Sequence, residues 1–111
     1  MSRPRAQGLD RVYGAIADPT RRAILDQLAR GPARITDVAQ PFAMSFAAVS
    51  KHVKVLESAG LVKRTRQGRE HTLELEAAPL REVASWAARY EEYWTDRLDR
   101  LESFFQNRSK K

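Results

Sequence analysis

Ser45-Phe46-Ala47-Ala48-Val49-Ser50-Lys51-His52-Val53-Lys54-Val55-Leu56-Glu57-Ser58-Ala59-Gly60-Leu61 is the stretch on which the reading of this 111-residue chain turns. Ser45 offers a side-chain oxygen to the free N–H groups that open a helix. Val49, Val53 and Leu56 then recur at helical spacing and fix one inward face. Gly60 suits the left-handed position just past a helix end, where the following Leu61 packs back on the last turn. The helix is therefore expected from Ser45 to Ala59, with Phe46, Ala47, Ser50, Lys51 and Lys54 outward or near its edge. Such side chains suit a DNA major groove, because Ser and Lys donate to base edges or phosphates and Ala and Phe touch a thymine methyl. An ordinary solvated face would also carry Lys51 and Lys54.

The context upstream separates these two readings. Ile35-Thr36-Asp37-Val38-Ala39-Gln40 reads as a short helix stopped by Pro41, which disfavours helical geometry in the residue before it. Two short helices joined by a tight connection, the second with a polar outer face, make a helix-turn-helix. Before them, Asp18-Pro19 opens a helix through Ile24, Leu25 and Leu28 that Gly31-Pro32 ends. Leu9, Val12, Tyr13 and Ile16 give a short first helix. The polar residues 1–8, with two Arg, read as a flexible basic arm. Arg21 and Arg22 could touch phosphate or simply face solvent.

Downstream, two runs of alternating residues flank Gln67-Gly68 and predict a β-hairpin from Val62 to Leu75 with a basic tip. This hairpin is a wing beside the helix-turn-helix. Its Arg64, Arg66 and Arg69 are candidate contacts to phosphate or the minor groove, although charge on an edge strand also guards against aggregation. His71 shares strand parity with Leu73 and Leu75 and is expected to face inward near the wing base.

After Pro79, Leu80, Val83, Ala87, Tyr90, Trp94, Leu98, Leu101 and Phe105 repeat every three or four residues. A helix of that length exceeds what so small a body covers, and its aromatic stripe calls for a partner. Dimerisation through these residues is the reading adopted, against folding back on the chain's own core. The expected fold is mainly α with a small β-hairpin: a winged helix-turn-helix with a long C-terminal dimerisation helix. One domain is expected over residues 9–105, with a polar tail at 106–111.

Composition narrows the function. The formal charge is +6, and it is unevenly spread. Residues 45–71 hold six Lys/Arg against two Glu, whereas residues 80–105 hold four Arg against six Asp/Glu. Basic charge gathered around one helix and hairpin is an electrostatic footprint for nucleic acid. Without cysteine there is no disulfide, thiol nucleophile or thiolate metal site. The start lacks a signal-peptide pattern and no stretch approaches a membrane span, so a cytoplasmic protein with no membrane partner is expected. His52 and His71 are the only imidazoles, and there is no nucleophile elbow, His-x-x-His pair or phosphate-binding glycine loop. His52 borders the packed helix face, as a half-buried or phosphate-touching residue. Glu91, Glu92, Asp96 and Asp99 read as a solvated helix face, with Asp96 facing Arg100. No enzyme, cofactor or metal is expected.

Ala17-Asp18-Pro19-Thr20-Arg21-Arg22-Ala23-Ile24-Leu25 and Val49-Ser50-Lys51-His52-Val53-Lys54-Val55-Leu56-Glu57-Ser58-Ala59-Gly60-Leu61-Val62 together resemble the ArsR/SmtB family of bacterial winged-helix repressors. The likeness runs from about Leu9 to Phe105. It implies a homodimer built on the first and last helices, which adds Leu9, Val12 and Tyr13 to the interface. It also implies an inverted-repeat operator in double-stranded DNA, contacted at bases by Phe46, Ala47, Ser50 and Lys51. Metal-sensing members carry a Cys-x-Cys where Arg34 and Thr36 stand here, and the chain is similar to the branch without metal ligands. Its effector is open between a small molecule and a protein. Two other functions compete: a sequence-tolerant architectural nucleic-acid binder, and a protein-interaction adaptor that docks the aromatic last helix on another chain.

Overall fold

The computed structural model describes the backbone of residues 4–109 and the side chains of residues 8–90 and 95–107. Five helices and three short strands follow in the order α1 (Pro4–Ile16), α2 (Pro19–Leu28), β1 (Ala33–Arg34), α3 (Ile35–Ala39), α4 (Phe46–Ser58), β2 (Val62–Gln67), β3 (Glu70–Leu75) and α5 (Ala78–Ser109). Of the residues expected as an arm, 1–3 lie outside the described residues and 4–8 form the start of α1. Pro4 opens that helix, where its missing N–H costs nothing.

The junction between α1 and α2 is built almost entirely from Asp18, Arg21 and Arg22. Asp18 caps α2, its Oδ1 accepting from the N–H groups of Thr20 at 2.8 Å and Arg21 at 3.1 Å. The two arginines turn back on the end of α1. Arg21 Nε donates to the Ala15 carbonyl at 2.7 Å, Arg21 Nη2 to Gly14 at 3.0 Å, and Arg22 Nη1 to Ile16 at 2.9 Å. The last carbonyls of a helix lack intrahelical donors and carry partial negative charge, so guanidinium groups satisfy both needs there.

Backbone N–H donation from Arg21 holds the Asp18 carboxyl below its ordinary pKa, against a smaller opposing effect of desolvation. A depressed carboxyl stabilises the fold above its unfolded pKa, and that stabilisation is lost as pH falls through its folded pKa. Asp18→Asn keeps a capping oxygen but cannot ionise. Thermal unfolding of both forms as a function of pH is therefore expected to show the wild-type advantage shrinking at the acid end of the carboxylate range. A gap between the two forms that does not change with pH there would refute the assignment.

Helix α4 ends as its sequence requires. Gly60 has φ 76°, the Leu61 N–H returns to the Leu56 carbonyl at 3.0 Å, and the Gly60 N–H bonds Glu57 at 3.0 Å. This pair of bonds closes the helix through a left-handed residue. The chain then enters β2 at once. Gly68, φ 59°, takes the first central position of the two-residue hairpin turn, where the type II′ geometry needs it.

The hairpin gains a third strand, since β1 pairs antiparallel with β3 through Ala33↔Leu73 and Arg34↔Thr72, giving the order β1-β3-β2. The core lies beneath this sheet. Val12 and Ala15 of α1, Ile24, Leu25 and Leu28 of α2, Ile35 and Val38 of α3, and Val49, Val53 and Leu56 of α4 meet Leu61, Val62 and Leu73 there. Helix α5 contributes only Leu80 and Val83, both partly buried. From Ala84 onward every described α5 side chain is exposed. The helix has 32 residues, about 48 Å at 1.5 Å per residue, and it stretches the molecule to 72 Å.

Candidate nucleic-acid interface

With Val49, Val53 and Leu56 fully buried, the 100° step between helical residues sets the rest of α4. Ala47, Lys51 and Lys54 form the side facing away from the core, and all three are exposed. Ser45 is exposed and serves the cap, its Oγ accepting from the Ala48 N–H at 3.1 Å. Phe46 is 51% exposed on the flank toward Ser50, which is half-buried. Phe46 is not among the residues packed on the core. The groups named for α4 thus share one surface.

On the wing the three arginines part company. Arg66 and Arg69 are exposed at the hairpin tip, with Arg66 Nε 3.5 Å from the Gly68 carbonyl. Arg64 is turned toward the body, where Nη2 pairs with Glu57 Oε1 at 2.7 Å and Nη1 lies 3.0 Å from His71 Nδ1. His71 is half-buried on the inner face, as its parity with Leu73 requires. Lys63, counted in the basic stretch but not among the expected contacts, is exposed as well.

Other charged groups act as internal ties. His52 is half-buried and its Nδ1 lies 3.1 Å from Arg21 Nη1, linking α4 to α2. A guanidinium only donates, so Nδ1 is the acceptor in this contact. Arg34 reaches Asp37 at 3.2 Å and Glu70 at 3.1 Å, joining α3 to the wing. Its hydrogen bond to Glu70 raises the Arg34 pKa further, so the guanidinium stays charged. Among the described residues no group of three or more His, Cys, Asp or Glu is placed to hold a metal ion.

The expected dimer residues fall into two groups. Val12 is in the core of the single chain, and Leu80 and Val83 pack on that core, as Leu9 and Tyr13 are partly covered. Ala87, Tyr90, Leu98, Leu101 and Phe105 are exposed. The side chain of Trp94 lies outside the described residues. Trp86 and Phe104, part of the expected aromatic stripe though not of the interface residues named above, join the same apolar surface: Trp86 sits 5.4 Å from Tyr13 and 4.9 Å from Tyr90 between ring centroids, and Phe104 is 54% exposed.

A family model described as a helix-turn-helix domain matches residues 16–65. The HTH-type transcriptional regulator Rv2034 of Mycobacterium tuberculosis is 37% identical over 89 residues, 80% of each chain. The transcriptional repressor SdpR of Bacillus subtilis is 33% identical over 78 residues, 70% of this chain and 87% of the relative. Among solved structures, the ArsR family transcriptional regulator RHA00566 superposes with a TM-score of 0.76 at 38% identity, over 86% of this chain and 97% of that one. A homodimeric winged helix-turn-helix DNA-binding domain from Mycobacterium bovis, described as a possible ArsR-family regulator, gives a TM-score of 0.64 at 27% identity, over 80% of this chain and 83% of that one.

Proposed function

This chain belongs to the ArsR/SmtB family of winged helix-turn-helix transcriptional regulators, and from that premise we propose that it is a homodimeric repressor. It binds an inverted-repeat operator in double-stranded DNA and blocks transcription by occupying it. One observation carries the reading: Ala47, Lys51 and Lys54 point away from a core that fully buries Val49, Val53 and Leu56, beside a basic hairpin. A helix held so firmly by one face offers the other to a groove. Two copies related by a twofold axis would reach half-sites about one helical turn, or a multiple of it, apart.

Lys51 is assigned to a base edge and Arg66 to phosphate. Lys51→Ala is then expected to weaken operator binding by about 1–3 kcal/mol while changing random-duplex binding far less. Arg66→Ala is expected to weaken both and to lower the salt slope by about one. Binding titrations across salt on an operator selected from random DNA read both quantities, and equal effects of the two variants on both measures would undo the division. A selection that returned no recurring motif would overturn sequence-specific binding altogether and favour the architectural binder.

No described helix is long and apolar enough to cross a membrane; a cytoplasmic location is part of this proposal and is supported by the DNA target. The family's thiolate-based metal sensing has no counterpart at Arg34 and Thr36, so those two positions do not supply the donors that a soft metal needs. The exposed aromatic surface of α5 favours one second reading, docking on a different protein. Solution mass separates it from the homodimer.

A further inference from the structure

By charge alone Arg64 belongs with Arg66 and Arg69 as a DNA contact, but its surroundings give it other work. Nε and Nη2 both donate to Glu57 Oε1, at 3.2 and 2.7 Å, and Nη1 donates to His71 Nδ1 at 3.0 Å. The Arg64 side chain is 22% exposed and that of Glu57 30%. Swinging the guanidinium out to a phosphate would strip Glu57 of its partner in a half-buried position, a costly exchange for a carboxylate.

The three residues lie on three different elements. Glu57 is in the last turn of α4, Arg64 on β2 and His71 on β3, so a single guanidinium fastens the helix to both strands of the hairpin. On the opposite flank of α4, His52 is tied to Arg21 of α2. The helix is thus gripped from both sides while its Lys51 face stays open. We infer that Arg64 is a positioning residue, which fixes the angle between α4 and the wing so that Lys51 and Arg66 meet one duplex together. This rests on the DNA-binding reading above and specifies how its two contact elements are kept in register.

Charge and bracing predict opposite signs for one variant, which makes the test sharp. Glu57→Ala removes a negative charge and frees Arg64, so if Arg64 were a phosphate contact the operator would bind more tightly. If Arg64 is a brace, Glu57→Ala, Arg64→Ala and Arg64→Lys each weaken operator binding by about tenfold, and the Glu57→Ala/Arg64→Ala double variant is no weaker than either single. Arg64→Lys keeps the charge but cannot span Glu57 and His71 together. The salt slope is the same in Arg64→Ala as in Arg64→Lys, because whatever is lost comes from misplacing the wing and not from the charge of Arg64 itself. Circular dichroism and thermal unfolding confirm that each variant is folded before its titration is read. Tighter binding by Glu57→Ala, a slope lower by about one in Arg64→Ala than in Arg64→Lys, or wild-type affinity in Arg64→Lys would overturn the inference. Failure of the DNA reading itself shows separately, as a wild-type protein with no preference for the selected operator over random duplex.

Discussion

Replacing Leu98 and Leu101 together by glutamate is expected to turn the dimer into a monomer and to lower operator affinity by about two to four orders of magnitude. The size of the effect comes from geometry. Each half-site contact is weak alone, and a joined pair makes the second binding event intramolecular. Leu98 and Leu101 are 61% and 51% exposed on a helix stretch that touches no other part of its own chain's core. Glutamate is also a good helix former, so the substitutions leave each protomer folded. Light scattering reads the mass, and titration on a full operator and on a single half-site reads the affinity. Loss on the full operator with little change on the half-site is the expected pair of results. A variant that stays dimeric with full affinity would remove this surface from the interface, and a wild-type chain that is itself monomeric would favour a different protein as the occupant of α5.

Leu56→Ala is expected to act at the opposite pole, on the protomer's own stability. Leu56 is fully buried, beside Val49 and Val53, where α4 meets Leu61 and Leu73. Truncating such a residue costs about 2–5 kcal/mol, since the lost transfer energy is compounded by a cavity that close-packed neighbours only partly fill. Domains of this size are stable by only about 5–15 kcal/mol, so the change takes a large share of the whole and lowers the melting temperature on the order of 10 °C or more. Denaturant unfolding at fixed protein concentration measures it, the concentration being fixed because association adds to apparent stability. A loss under about 1 kcal/mol would mean that this junction is much looser than its burial implies.

Most of the architecture is legible in the sequence because the chain is clearly punctuated. Asp18-Pro19, Ser45 and Gly60 each impose a local conformation that needs no tertiary help, and the structure uses each where the pattern places it, whereas the hairpin turn falls at Gly68-Arg69, one residue later than the Gln67-Gly68 expected, because Gln67 still pairs with Glu70. The third strand is not legible, since Ala33–Arg34 is too short for any alternation and pairs only because β3 is already there. The start of α1 and the last turns of α5 also escape a reading based on apolar spacing, because polar residues continue a helix as long as no breaker intervenes.

At the candidate site, the outward face of α4 follows from three buried positions alone. The internal ties do not, because Arg21 and Arg22 look like any exposed pair until the end of α1 is brought to them. Arg64 is hidden in the same way. It shares strand parity with Val62 but also with Arg66, so alternation alone does not separate the two; the pairing does, setting Arg64 opposite the buried Leu73 and Arg66 opposite His71 toward the tip.

The short passage from α4 into β2 through Gly60 has a practical side. With the Leu61 N–H bonded to Leu56 and the Leu61 carbonyl bonded to the Glu76 N–H, there is no slack in which a foreign segment could settle at a new tilt. Anyone re-addressing this scaffold to another promoter by grafting should move residues 45–75 as one cassette, since an α4 borrowed without its own hairpin would arrive aimed for a different hinge.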